Sequence, residues 1–270
     1  CGSSSRDGQS ASLFKRFGAM ITSDFIINSP ATMINAIREC GFIPFFKCGI
    51  EGWSIEDMTD PEYWFTSSDQ LGPWDWKIDA VREGNIAYGK FLGGAAGFAT
   101  TDFYRHLMNY RRSLPQYRVV LGEDFQAVKQ NEVLMKALAP VAFNLIKERG
   151  AAESREIRES LTSAVTPQLL ESVTPSCRAN LFPAVKKSIS DSVITFLEMG
   201  TWTVVADFIR LYRGRNQEYN GWQRSIITMS DELFEDSVKV DSSPEESRQF
   251  LIGYLLKSFP DQIKKIEKII

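Results

Sequence analysis

The sequence predicts a mostly helical α+β protein in which each of two units carries a small antiparallel hairpin. Three observations lead there. Apolar residues recur at three- and four-residue spacing along most of the chain. The β-rich runs are short and come in pairs, one pair across Gly93-Gly94 and one across residues 214–221. Hydrophobic residues make up 43% and charged residues 24% of 270 positions, the balance of a globular chain with room for one large or two ordinary domains.

The elements follow in order. Ser29-Pro30 joins an N-capping serine to proline at the first helical position; Met33, Ile34 and Ile37 give that helix its apolar stripe, and Gly41 stops it. Residues 42–46 read as buried extended chain. Thr59-Asp60-Pro61-Glu62 starts a second helix and Gly72-Pro73 a third, from Trp74 to Glu83, closed by Gly84. Ile86 to Leu92 and Ala95 to Ala99 form the first hairpin. Thr101 or Asp102 caps a helix through Arg112, with Phe103, Leu107 and Tyr110 along one side.

Residues 113–130 are polar, carry Pro115 and predict a domain boundary. A long helix from Glu132 to Arg149 ends at Gly150, and a short one from Glu153 to Leu161 turns Ile157 and Leu161 inward. Prolines 167, 175 and 183 make residues 162–184 an irregular insertion. A helix from Lys186 to Met199 carries Ile189, Val193, Phe196 and Leu197. Strands from Thr201 to Ile209 and from Trp222 to Met229 make the second hairpin. Ser243-Pro244-Glu245-Glu246 is a capping box opening a helix with Phe250, Leu251, Tyr254 and Leu255. Pro260 opens the last helix, striped by Ile263, Ile266 and Ile270.

Helix, short helix, longer helix, then hairpin is the layout of a winged helix, so the expected architecture is tandem winged-helix-like units. The expected organisation is a flexible tail over 1–20, an α+β domain with a Trp-rich segment over 21–130, a winged-helix domain over 131–240 and a helical extension over 241–270.

Composition excludes several classes. Acids outnumber bases 34 to 31, which rules out a global polycation wrapped around nucleic acid but leaves room for a local basic strip. The single histidine, His106, excludes sites built from two or three imidazoles. Cys1, Cys40, Cys48 and Cys177 form no CxxC pair and are too sparse for a disulfide scaffold. They read as free thiols of a cytoplasmic protein, with a Cys40–Cys48 bridge open only to an oxidising compartment. No apolar run reaches 18 residues, so no membrane span is expected. The start, Cys1-Gly2-Ser3-Ser4-Ser5, resembles the mature end of a bacterial lipoprotein; a processed or artificial start is the alternative. Residues 93–97, Gly-Gly-Ala-Ala-Gly, lack the lysine-serine end of a phosphate loop. Neither a metal nor a cofactor is expected.

Two constellations carry chemistry. In the second unit, the helix with Lys186 and Lys187 would face a nucleic-acid groove. The hairpin beside it bears Arg210, Arg213, Arg215 and Arg224 against Asp207 and Glu218. Guanidinium groups near a hairpin tip suit phosphate oxygens; merely solvated arginines are the alternative. In the first unit, Trp53, Trp74, Trp76, Tyr88, Lys90, Arg105 and His106 could line a pocket in which an unstacked base is held. Asp75 and Asp79 lie four apart on one helix and are the candidate catalytic pair. Trp74 and Trp76 cannot both face inward, so one is core.

Several segments resemble a known family. Leu145–Leu161 (LIKERGAAESREIRESL) and Lys186–Trp202 (KKSISDSVITFLEMGTW) are similar to the winged-helix segment of AlkZ-type DNA glycosylases. Gly72–Phe91 (GPWDWKIDAVREGNIAYGKF), Phe103–Arg112 (FYRHLMNYRR) and Tyr219–Phe234 (YNGWQRSIITMSDELF) look more like the AlkZ-related bacterial proteins. The resemblance spans roughly residues 30 to 260 and implies a DNA-related winged-helix scaffold. The glycosylases position water with a Gln-x-Gln or Gln-x-Asp motif. None of Gln70, Gln116, Gln126, Gln130 and Gln223 begins one, so the family's catalytic residues are not carried over. The expected function is DNA binding without an assigned reaction. A protein-interaction module and a divergent base- or nucleoside-hydrolysing enzyme are the alternatives.

Overall fold

A computed structural model describes residues 27–64, 71–126, 130–169, 182–235 and 239–270. The expected tail over 1–20, Cys1, Cys177, the Lys186 side chain and residues 170–181 of the expected insertion lie outside the described residues. The fold is α+β and mostly helical, with two small antiparallel sheets.

The first unit opens with α1 (Pro30–Cys40). Ser29 caps it by accepting from the Thr32 amide, and Gly41 ends it at φ +72°. Strand β1 (Phe42–Pro44) follows, wholly buried. The helix expected at Thr59 is only a 3-10 turn, Pro61–Tyr63. Helix α2 (Pro73–Arg82) leads to β2 (Ile86–Leu92) and β3 (Ala95–Thr100), joined at Gly93 and Gly94 with φ +60° and +84°. Two consecutive positive φ angles are what a two-residue hairpin turn demands, and glycine adopts them without a Cβ clash. The sheet order is β1-β3-β2. Helix α3 (Thr101–Arg111) closes the unit without the side-chain cap expected from Thr101 or Asp102.

The second unit repeats the order. Helix α4 (Gln130–Arg149) is followed by β4 (Ala151–Glu153), α5 (Ser154–Ala164), α6 (Phe182–Met199), β5 (Thr203–Arg213) and β6 (Glu218–Met229), with sheet order β4-β6-β5. The short strand β4 was not expected. Both strands of the second hairpin run longer than the sequence indicates, and its turn shrinks to residues 214–217. Helix α6 starts four residues before Lys186. A short α7 (Ser230–Phe234), then α8 (Pro244–Ser258) and α9 (Ile263–Ile269), complete the chain.

Two hydrophobic cores result. The first joins α1, the β1-β3-β2 sheet and α3 to Leu251, Ile252 and Leu255 of α8 and to Ile266 and Ile269 of α9. The last helices thus belong to the first unit's core. The second core runs from Tyr117 to Met229, and includes Val119 and Val120 from the 3-10 turn Pro115–Leu121. The polar stretch expected over 113–130 therefore contributes buried residues. Val204, Val205 and Phe208 of β5 enter the first core while Ile227 and Met229 of β6 enter the second, so the base of the long hairpin joins the two.

Candidate nucleic-acid interface

The long hairpin rises from this base and crosses the amino-terminal turn of α2. The crossing is polar. Asp75 is 7% exposed, and its Oδ1 accepts from the Tyr219 hydroxyl at 2.5 Å and from Gln223 Nε2 at 3.1 Å. Arg210 Nε lies 3.5 Å from the same oxygen, and its guanidinium faces the Tyr219 ring at 5.6 Å. Gln223 Nε2 also donates to the Trp74 carbonyl at 3.2 Å and to the Tyr219 oxygen at 2.7 Å, and Trp74 Nε1 donates to the Gly221 carbonyl at 2.8 Å. Burial and the bond to Asp75 push the Tyr219 hydroxyl up to about 12. Beneath Trp74 lies Lys77, 2% exposed, its ammonium 3.3 Å from the indole centroid and 4.7 Å from that of Phe208. Burial lowers its pKa to about 7, against the opposing pull of Asp75.

The hairpin arginines divide into two sets. Arg224 bonds Glu153 at 2.6 Å and Arg210 sits over Asp75, so both are engaged at the base of the ribbon. Arg213 faces the Trp222 ring at 5.9 Å, and Arg215 is exposed in the turn; neither has an ion-pair partner among the described residues. Of the expected opposing acids, Asp207 is bonded by Arg82 and Glu218 accepts from Asn216. Lys187 is exposed on the outer face of α6. There, with Ser188, Asp191, Ser192 and Thr195, it borders an open groove of about 600 Å³ floored by Met135, Phe196 and Met199.

The Trp-rich pocket does not assemble as expected. Trp53 is fully buried, donates to the Phe42 carbonyl at 3.1 Å and packs edge-on against Phe42, so no base can reach it. Trp76 and Tyr88 are buried core residues, at 4% and 8% exposure. Trp74 alone of the set is an exposed ring, at 41%, which fits the two-residue offset from Trp76. Lys90 is solvated, and its amide donates to Glu198 at 2.8 Å. Arg105 pairs with Asp102, one turn away. His106 holds the Ser247 hydroxyl at 3.0 Å and stacks on Phe250 at 4.3 Å. Burial and then Arg105 lower its pKa, the behaviour of a structural histidine.

Asp75 and Asp79 differ in their surroundings. Asp75 is locked under the hairpin, whereas Asp79 is exposed. By accepting from a phenol and an amide of β6, the Asp75 oxygen ties α2 to the hairpin.

Sequence reasoning missed Tyr219, Gln223, Lys77, Tyr212 and Trp222. Gln223 drew attention only as a possible motif start, and nothing local links it to a carboxylate 148 positions away. Cys40 and Cys48 are free thiols, and burial pushes Cys40 up to about 12. Among the described residues no three His, Cys, Asp or Glu side chains gather to hold a metal. No described helix is long and apolar enough to cross a membrane.

Fold and site together define a mostly helical α+β protein with two hydrophobic cores and one projecting ribbon. The chain belongs to the AlkZ-related family, whose sequence model matches residues 27–270. No curated protein and no solved structure matches it.

Proposed function

We propose that this chain is a cytoplasmic winged-helix protein that contacts DNA through the tip of the β5–β6 hairpin. The observation that carries the reading is the hairpin tip, where Arg213 and Arg215 have no ion-pair partner among the described residues. Unpaired guanidinium groups on a projecting ribbon suit phosphate oxygens, because binding displaces condensed counterions at little desolvation cost to the protein. Helix, strand, helix, helix and hairpin, with the isolated strand beside the second hairpin strand, support the winged-helix reading. Membership of a family related to AlkZ supports the choice of DNA as ligand. Free Cys40 and half-buried Cys48 support a reducing compartment. No reaction is assigned, since the one converging carboxylate, Asp75, is engaged.

The test is fluorescence anisotropy of a labelled duplex titrated across salt concentrations. Replacing both Arg213 and Arg215 by alanine is expected to weaken binding several-fold at low salt and to flatten the log–log salt slope by about 2. Absence of binding at low salt overturns the reading.

A further inference from the structure

We propose that the hairpin tip stacks unpaired nucleotides on Tyr212 and Trp222, with Arg213 and Arg215 holding the flanking phosphates. This inference rests on the nucleic-acid reading above and narrows its ligand to strands whose bases are exposed.

The two rings are the most exposed large aromatic side chains among the described residues, Trp222 at 61% and Tyr212 at 54%. Neither exposure follows from a need of the core. Strand β4 covers β6 only at Ile226, Ile227 and Thr228, so beyond Ser225 the ribbon has two strands and no third. The rings take opposite faces of that ribbon. Tyr212 pairs with Tyr219 across the strands, centroids 5.7 Å apart, on the face that meets α2. Trp222 neighbours Gln223, which points toward α2, so the pleat turns Trp222 to the other face, where Arg213 meets its ring.

The backbone is shaped for this. Between the pairs Arg210–Gln223 and Tyr212–Tyr219 the register slips: one residue of β5, Leu211, stands opposite the three residues 220–222 of β6. Gly221 sits in this bulge at φ +79°, a conformation that disfavours any Cβ, and its carbonyl is tied to Trp74. The bulge thus fixes the stretch from which Trp222 projects. Trp74, at 41% exposure, and Phe46, at 42%, with centroids 6.2 Å apart, form a second exposed ring pair on the first unit.

The surroundings choose the ligand. An apolar protein partner would call for an aliphatic patch around the rings. Here Ile209 and Leu211 are the only aliphatic side chains that residues 209–224 place beside the rings, and the rest of the stretch between Arg210 and Arg224 supplies Arg213, Arg215, Asn216 and Gln217, with Glu218 the single acid. Aromatic faces beside guanidinium groups offer stacking to a base and charge to its phosphate at once. A duplex hides its base faces and can use only the arginines.

The experiment compares a 12-nucleotide single strand, the matching duplex and a single-stranded RNA of the same length, by anisotropy on the full chain. Trp222→Ala is expected to weaken single-strand binding about 10-fold while leaving duplex binding and its salt slope unchanged. Trp222→Phe should restore most of the loss, and Tyr212→Ala should give a smaller loss in the same direction. DNA and RNA strands should respond alike to Trp222→Ala. Equal losses on single strand and duplex, or no loss on the single strand, overturn the proposal and leave the arginine reading standing. Trp222-dependent single-strand binding with no effect of the two arginines on duplex does the reverse. If no oligonucleotide binds, both fall. Circular dichroism of each variant separates lost folding from lost contact.

Discussion

The two hairpins of this chain share a connectivity and differ in their surroundings. Strands β2 and β3 turn through two glycines and are covered: Phe91 is fully buried, Gly93 lies against Ile269 of α9, and Gly94 against Met199 of α6. Strands β5 and β6 are longer, meet α2 on one face through Tyr219 and Gln223, and turn through residues 214–217, which are exposed. The difference teaches that the same supersecondary unit serves twice here, once as core and once as a projecting arm. Coverage, not topology, decides which. It also explains why the arginines and exposed rings gather on one hairpin only.

The largest expected effect breaks the covered hairpin. Phe91→Ala removes a side chain buried among Tyr104 and the C-terminal helices, and is expected to cost about 3–5 kcal/mol in urea unfolding. Trp222→Ala on the arm should change stability by less than about 0.5 kcal/mol. Comparable losses from the two would erase the distinction.

A second effect is sharpened by pH. Glu198 of α6 is 4% exposed and accepts from the Lys90 amide of β2; burial raises its pKa to about 7. A carboxyl with a raised native pKa binds its proton more tightly when folded. Its stabilising contribution is therefore complete below the unfolded value near 4.5 and lost as pH rises through 7. Glu198→Gln should remove that decline, leaving the variant about 3 kcal/mol less pH-sensitive between pH 4.5 and 8, measured as melting temperature against pH.

The smallest effect probes the arm's bulge. Gly221→Ala meets no neighbouring atom, so its cost is conformational, about 1 kcal/mol from the positive φ. It should also loosen the Trp74 bond and lower single-strand affinity more than stability.

What could be read from the sequence was local. The Ser29 and Ser243 caps, the Gly93-Gly94 turn and the ends at Gly41 and Gly150 are determined by neighbouring residues, and each is found where expected. Strand β4 was missed because Ala151, Ala152 and Glu153 carry no β preference and owe their conformation to pairing with Ile226 to Thr228. The outer part of β6 was read as turn because a ribbon with no core beneath it shows no apolar alternation. At the site, the two-residue offset showed that only one of Trp74 and Trp76 could be core, but not that it is Trp76. The Asp75–Tyr219–Gln223 junction was not legible, since it joins residues more than 140 positions apart.

Arg111 ties distant parts of the chain together. It is 3% exposed, and its guanidinium donates to the main-chain oxygens of Phe91 at 3.3 Å, Met199 at 2.8 Å and Ile269 at 2.9 Å, with Nε on the Ile270 oxygen at 2.5 Å. Three stretches, spread from Phe91 to Ile270, meet on one side chain. The core built around residues 27–108 is thus closed by helices that lie about 130 residues further along the chain, so its sealing contacts have high sequence separation and are expected to form late in folding.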